Sequence, residues 1–167
     1  MVGLTRLDPR YMFDEFLMAA FISFLHFLGA FALVAALVVE LVTIREELTV
    51  RNATKLVVAD AVYGLSAGLV LVAGLLRVFF FEKGSAYYFA NIPFLLKMAL
   101  FFAIAAASIY PTFEFLKWYK PLKQGQIPLL RDDKRRVIRR LIHWELAAVL
   151  LLILCAALMA RGIGYRA

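Results

Sequence analysis

The feature that most constrains the fold is a stretch with two long apolar runs joined by one short polar turn, extending from Asp60 to Pro111. Each run is long enough to cross a bilayer, because a transmembrane helix needs about 20 mostly apolar residues. The turn between the runs contains Glu82, Lys83 and Gly84. The stretch therefore predicts a membrane-spanning helical hairpin.

Two further apolar segments flank this hairpin, so the sequence predicts a single domain, 1–167, with four spans. The expected spans cover about residues 16–44, 55–81, 88–117 and 137–160. The chain is 64% hydrophobic, whereas a soluble domain has roughly 45–50% apolar residues. Lipid requires every backbone group to be satisfied within the protein, and no long period-two pattern indicates a barrel. The predicted fold class is an all-α integral membrane four-helix bundle with up-down topology.

Basic residues predict the orientation of the spans. Most of them follow the first and third spans: Arg45, Arg51, Lys55, Lys117, Lys120, Lys123, Arg131, Lys134, Arg135, Arg136, Arg139 and Arg140. Lys and Arg accumulate on the cytoplasmic side of membrane proteins, so both termini are expected outside the cytoplasm, in a bacterial cytoplasmic (inner) membrane. This topology explains the net charge of +7 without nucleic acid as a partner, and the bilayer itself is the expected partner.

Small residues in the second span predict close helix packing. Gly64 and Gly68 form a GxxxG pattern, which lets two helix backbones approach each other in a membrane. Faces of this kind would also suit a homo-oligomer. Cys155 stands alone in an apolar run, which excludes a disulfide framework within the chain and favours a packing role.

Polar residues inside the spans fall at two depths. The outer layer contains His26, Arg77 and Lys97, and the inner layer is a polar cluster of Glu40, Asp60, Tyr63, Tyr110 and Glu145. A charge at the centre of a bilayer costs roughly 2.5–3.5 kcal/mol on insertion scales. Such residues are therefore expected to face one another, a cavity or a bound molecule.

Helical phase supports an inward orientation for these side chains. Fourteen residues make nearly four turns, so His26 and Glu40 share one face of the first span, and Tyr63 and Arg77 share one face of the second. Simpler interpretations remain open. In one, Glu40 and Asp60 pair with basic residues at the interface, namely Arg45, Arg51 or Lys55. In the other, the two outer cations, Arg77 and Lys97, snorkel to the headgroups.

His26 is the strongest candidate for a functional residue. A buried histidine on a face that contains glycine suits the axial ligation of haem iron in a helix bundle. In this interpretation Gly29 leaves room for a porphyrin edge, Arg77 and Lys97 bind the propionates, and Lys97 or Met98 supplies the second axial ligand. A hydrogen-bonded structural histidine is the alternative.

His143 is a poor second ligand for the same iron. It lies near the cytoplasmic end of the fourth span, and the helical rise separates it in depth from His26 by roughly 15 Å. His143 and Glu145 are two residues apart and so point to different sides of their helix. We expect Glu145 to face inward and His143 to lie at the headgroups.

Several short motifs lie along the hairpin. They are Asp60-x-x-Tyr63-Gly64, Gly74-x-x-Arg77-Val78, Glu82-Lys83-Gly84, Tyr88, Phe94-x-x-Lys97 and Ser108-x-Tyr110-Pro111-Thr112. With His26 and Glu40 in the first span, they resemble a family of uncharacterised bacterial four-span membrane proteins, a domain of unknown function. The resemblance covers about residues 14–160.

That family is distantly similar to the HemJ-type protoporphyrinogen oxidase and to the CopD-type copper-resistance membrane domain. The similarity is one of layout: an early histidine in the first span and a lysine in the third. By this resemblance His26 matches the haem-ligating histidine of the HemJ type, and Lys97 matches its essential lysine. The tryptophan-rich start of the HemJ first span has no counterpart here.

The leading functional hypothesis is b-type haem binding in the outer leaflet, for electron transfer or oxidation of a lipophilic substrate, with a membrane redox partner. Lys97 is the candidate catalytic residue, as a proton donor. A non-enzymatic transporter is the rival, with a proton or cation relay through Glu40, Asp60, His26 and Lys97. An assembly partner without chemistry is a third possibility, so whether the protein is an enzyme stays open.

Overall fold

The computed structural model describes residues 9–165, with side chains from residue 13 onward. Its elements, in chain order, are α1 (Pro9–Thr43), α2 (Val50–Leu76), a π-helix (Arg77–Phe81), α3 (Ser85–Phe89), α4 (Ile92–Leu116), α5 (Tyr119–Lys123) and α6 (Asp132–Ala160). The four long helices are each long and apolar enough to cross a membrane. Within residues 9–165 the chain forms no strand, and the predicted all-α class is confirmed.

Local hydrogen bonds explain where two of the long helices begin. The side chain of Thr49 accepts a bond from the amide of Asn52 at 3.2 Å, and the side chain of Asn91 accepts one from the amide of Phe94 at the same distance. These caps satisfy amide groups that have no partner within the helix. The first cap starts α2 at Val50, ahead of the expected position 55.

Helix α6 also begins earlier than expected, at Asp132 instead of position 137. Asp132 and Asp133 lie in its first turn, where carboxylates interact favourably with the helix dipole. The basic residues from Lys134 to Arg140, predicted to lie in the third connection, therefore lie on the first turns of a helix. The preceding long helix, α4, continues through Pro111 and ends at Leu116.

The long helices form a closed ring in which α1 packs on α2, α2 on α4, α4 on α6 and α6 on α1. The chain reverses direction at each connection, so neighbouring helices are antiparallel and the topology is up-down. The helix bundle has two ends, named here by their residues. The basic end contains the connections 44–49 and 117–131, and the Arg77 end contains the connection 82–91.

The two ends differ in packing. The basic end holds most of the fully buried apolar side chains: Leu37, Ile44, Leu56, Phe115, Ile138 and Ile142. The Arg77 end has a smaller core of Val78, Tyr88 and Phe94. Large apolar side chains cover the outside of the ring, such as Phe31 and Leu65, each 77% exposed. A surface of this kind is stable only in a bilayer, so the protein is an integral membrane protein.

The GxxxG pattern does not serve packing within the described bundle. Gly64 and Gly68 are exposed, and a Cβ atom added at either would meet nothing within 4 Å. The expectation of a close approach between helices of one chain at this pattern is therefore wrong. Close packing occurs instead at Gly29 of α1, where a Cβ atom would lie 3.1 Å from Val70 and 3.3 Å from Leu69 of α2.

Truncation of Phe115 should destabilise the bundle, because its side chain is 0% exposed. Lipid is as apolar as the core, so the loss comes mainly from the cavity left behind, and we expect Phe115→Ala to cost about 2 kcal/mol. Phe113→Ala on the same helix, where the side chain is 60% exposed, is the matched control. Equal free energies of unfolding for the two variants in detergent would contradict this packing.

Candidate functional site

A cavity of about 560 Å³ opens among the helices at the Arg77 end. This volume lies within the roughly 300–1,000 Å³ range of small-molecule sites. Aromatic and aliphatic side chains make most of its wall, and the polar groups reach it from three helices and the 82–91 connection. The polar lining residues are His26, Arg77, Glu82, Lys83, Tyr87, Tyr88 and Lys97. The three residues predicted for the outer layer therefore meet at one cavity.

His26 is held by the backbone of the neighbouring helix. Its Nδ1 atom lies 3.0 Å from the carbonyl oxygen of Val70. Because a carbonyl only accepts, Nδ1 carries the proton and donates, which leaves the lone pair on Nε2. Nε2 has no hydrogen-bond partner in the described part of the chain. A backbone carbonyl that fixes the ring in this way is the usual support for a metal-binding histidine.

Gly74 makes this contact possible. A Cβ atom at position 74 would lie 3.1 Å from Cε1 and 3.3 Å from Nδ1 of His26, closer than a side chain tolerates without a shift of the ring. The imidazole therefore packs against the bare backbone of α2. Gly29, the glycine expected beside a porphyrin edge, packs on Leu69 and Val70 and is not part of the cavity wall.

The π-helix places Arg77 at the cavity. Its wider turn follows α2 directly, and π-helical turns occur often at functional sites. The guanidinium pairs with Glu82, with its Nε atom 2.8 Å from Oε1, and lies 5.7 Å from the ring centroid of Phe27. The hydroxyl of Tyr88 donates to the other oxygen of Glu82. Arg77 therefore has a partner inside the protein and does not snorkel alone.

Glu82 lies just beyond the spans, and its ionisation is controlled by this network. Partial burial opposes the charge, but the Tyr88 hydroxyl and the Arg77 guanidinium outweigh it and hold the pKa of Glu82 below its usual range. Burial, and then the bond to the carboxylate, raises the pKa of Tyr88. Tyr88 thus remains a neutral donor and Glu82 an anion at neutral pH.

Lys97 is one of the cations in the cavity wall and is available to a ligand; Lys83, also in the wall, lies 4.5 Å from the ring centroid of Tyr87. Across residues 13–165 the ammonium group of Lys97 has no hydrogen-bond or ion-pair partner, whereas Arg77 is paired with Glu82. Its neighbours in the wall are apolar and include Phe94, Met98 and Phe101. A desolvated ammonium group in such surroundings favours a bound anion.

The C-terminal segment covers one side of this end of the bundle. The amide of Ile92 donates to the carbonyl of Gly164 at 3.0 Å, and Tyr165 stacks on Tyr87 with ring centroids 4.8 Å apart. Gly164 has φ +84°, and a Cβ atom there would collide with Pro93, so glycine is needed on both grounds. These contacts hold the connection 82–91 beside the cavity.

A second group of polar side chains lies in the half of the bundle nearer the basic end. Glu40, Asp60, Tyr63 and Glu145 are all buried, with at most 7% of each residue exposed. The hydroxyl of Thr112 donates to Oδ1 of Asp60 at 2.7 Å. Glu40 and Asp60 do not pair with Arg45, Arg51 or Lys55, as the simpler interpretation required. These side chains form the inner group: Glu40, Asp60, Tyr63 and Glu145.

Tyr110 and His143 lie near the inner group but outside it. Tyr110 was predicted to belong to the inner group, but it is 42% exposed on α4, so this prediction is wrong. His143 lies at the surface of the basic end, where Arg45 donates to its Nε2 at 3.0 Å and its Nδ1 donates to the carbonyl of Arg139 at 2.6 Å. The predicted opposite orientations of His143 and Glu145 are confirmed.

The functional role of three residues escaped the sequence analysis: Gly74, Glu82 and Tyr88. All three belong to the short motifs of the hairpin. No spacing along the chain, however, indicates that Gly74 faces a ring on another helix. Metal coordination by several side chains is not indicated. Over the described residues, no group of three or more His, Cys, Asp or Glu is placed to hold a metal ion.

Comparison with known proteins places the chain at the level of a family. A family model described as "Predicted membrane protein (DUF2214)" matches residues 18–164. No curated protein and no solved structure matches the chain. The further resemblance to HemJ-type and CopD-type proteins therefore has no support from these comparisons.

Glu82 should stabilise the Arg77 end only when ionised. Its pKa is lowered in the folded state, so its contribution is complete above the ordinary pKa of glutamate and disappears as the pH falls through the folded value. We expect Glu82→Gln to lower the free energy of unfolding by about 1 kcal/mol at pH 7 and by nothing in acid. Thermal unfolding in detergent across this pH range, with Glu46→Gln as the control, measures the difference; a pH-independent effect would contradict the network.

Proposed function

The chain belongs to the DUF2214 family of membrane proteins, and we propose that it binds a b-type haem in the cavity at the Arg77 end. The haem would serve electron transfer or the oxidation of a lipophilic substrate. The observation that carries the proposal is the imidazole of His26, which lines the cavity with its Nδ1 proton bound to Val70 and its Nε2 lone pair free.

The residues present fit such a group. The cavity volume of about 560 Å³ suits a flat macrocycle of drug-like size or larger. Its wall is mainly apolar, as the faces of a porphyrin require, and includes Phe27, Phe94 and Phe101. Carboxylate side groups of the ligand need cations, and Lys97 is available for one of them. Met98 lines the same wall, and its thioether would be a further candidate to hold the iron.

Each residue then has a defined role. His26 would hold the iron through Nε2, and the carbonyl of Val70 would keep its ring in one orientation. Lys97 binds a propionate or the carboxylate of a substrate and is the candidate proton donor. Arg77 faces the cavity from its ion pair with Glu82, which fixes its position and leaves the pair without net charge. A bound haem supplies one-electron chemistry, and the apolar wall excludes water around it.

A proton or cation relay is the second candidate, and the inner group favours it. The relay would have to connect the cavity with Glu40 and Asp60. At the depth between them, α1, α4 and α6 carry the buried apolar side chains Leu33, Ile104 and Val149, and α2 carries the buried Ser66, so this layer is mainly apolar. This layer is why haem binding is proposed first. In either function the basic end would face the cytoplasm, by the distribution of Lys and Arg.

The optical spectrum of the protein tests the proposal. Protein purified in detergent from haem-replete cells should show a haem absorption band, and His26→Ala should abolish it because the axial ligand is lost. His143→Ala is the matched control, since the chain has two histidines and His143 binds Arg45 far from the cavity. A colourless wild-type protein, or equal loss in both variants, would overturn the proposal.

A second experiment tests the orientation of the ligand without removing it. Gly74→Ala should push the imidazole of His26 away from Val70, because the new Cβ atom would lie 3.1 Å from the ring. We expect a reduced haem content or a shifted absorption band. Gly68→Ala on the same helix, where a Cβ atom meets nothing within 4 Å, should leave the spectrum unchanged. The idea fails if the two alanine variants give the same spectrum as the wild type.

A further inference from the structure

Three carboxyl groups from three different helices meet inside the half of the bundle nearer the basic end. Glu40 of α1 is 2% exposed, Asp60 of α2 is 7% exposed and Glu145 of α6 is 2% exposed. They are close enough for Glu40 to interact electrostatically with both of the others, and for Glu145 to interact with Asp60. The fourth helix contributes Thr112, whose hydroxyl donates to Asp60.

No cation of the described chain neutralises these carboxyl groups. Lys117 and Lys134 bind Glu114 at 3.1 and 2.8 Å, Arg45 binds His143, and the half-buried Arg135 of α6 forms no ion pair with the three carboxyl groups. The remaining titratable group at the site is the hydroxyl of Tyr63, which is neutral and interacts with all three carboxyl groups. Three carboxylates together would place three negative charges in a region of low dielectric constant, at a cost of several kcal/mol each.

Hydrogen bonding distinguishes the three groups. Asp60 accepts a hydrogen bond from Thr112, and this bond favours its carboxylate form. Glu40 and Glu145 each bury one carboxyl oxygen, Oε1, that has no hydrogen-bond partner among the described residues. A buried acceptor without a donor is costly, whereas a protonated carboxyl group becomes a donor itself.

We propose that Glu40, Asp60 and Glu145 form a proton-binding site. Glu40 and Glu145 hold exchangeable protons on their carboxyl oxygens, and Asp60 carries the charge that Thr112 supports. Release of a proton converts one glutamic acid to its carboxylate and transfers the proton to water at the basic end. No other group is oxidised, reduced or transferred.

The position of the site determines where its protons go. A mainly apolar layer of Leu33, Ser66, Ile104 and Val149, one residue from each long helix, lies in depth between the site and the cavity. Towards the basic end, the exposed Arg45 is five residues from Glu40 on α1, beyond the buried Thr43 and Ile44, so the protein surface at this end is the nearer one along the helix. The proton-binding site does not involve the haem cavity. A different measurement, infrared spectroscopy, therefore tests it.

Infrared spectroscopy detects the protons directly, because a protonated carboxylic acid has a carbonyl stretching band that a carboxylate lacks. The full-length protein in detergent near neutral pH should show this band, and the band should shift in D₂O. Glu40→Gln and Glu145→Gln should each remove roughly half of its intensity, since two carboxyl groups hold the protons. Asp60→Asn should leave it in place.

Glu114→Gln is the matched control. Glu114 is also buried, at 6% exposed, but two lysines bind it, so it is a carboxylate and does not contribute to the band. The absence of the band in the wild-type protein would overturn the proposal, and this result does not depend on whether any variant folds. Equal loss in Glu114→Gln and in both site variants would also overturn it.

The same spectra distinguish protons from other cations. Addition of Na⁺, K⁺ or Mg²⁺ chloride at constant pH should leave the band unchanged if the site binds only protons. Loss of the band on addition of one of these ions would mean that the site is a metal-cation site and would reject the proposal. The protonated band should instead disappear as the pH is raised.

Discussion

The cost of an ionised group in hydrocarbon is the constraint on which this structure depends. The bundle meets it by ion pairing at two places and leaves one lysine without a partner in the described chain. Glu114 is matched by Lys117 and Lys134, and Arg77 is matched by Glu82 with help from Tyr88. Lys97 has no such match in the described chain and lines a cavity, where an anionic ligand would supply the missing charge. The charges that the protein does not balance by itself are therefore the ones that indicate function.

The packing of the helices makes this arrangement possible. The basic end is filled by fully buried side chains such as Leu37 and Phe115, which holds the four helices together where the inner carboxyl groups lie. The Arg77 end is looser, because the π-helix and the connection 82–91 separate α2 from α4. One end thus provides rigidity, and the other provides space for a ligand.

Depth in the membrane could be predicted from the chain, and orientation around each helix only in part. His26, Arg77 and Lys97 were placed in one layer because the helical rise converts sequence distance into depth. Whether a face meets a neighbour, a cavity or lipid depends on which helix lies beside it. For this reason Gly29 was assigned to the cavity although it packs on α2, and Tyr110 was assigned to the inner group although it is exposed. For the same reason the GxxxG pattern of Gly64 and Gly68 was expected to pack against another helix, although within the described chain it lies on the outside of the bundle.

By itself the sequence determined the four membrane-spanning helices, their antiparallel order and the two polar layers, because hydrophobic length and helical rise act along one chain. Only the tertiary structure decided the partners: His26 on the carbonyl of Val70 over Gly74, Arg77 on Glu82, and Glu40 with Asp60 and Glu145. The reason is physical. A partner on another helix is chosen by the rotation and spacing of packed surfaces, and no local pattern of residues records these quantities.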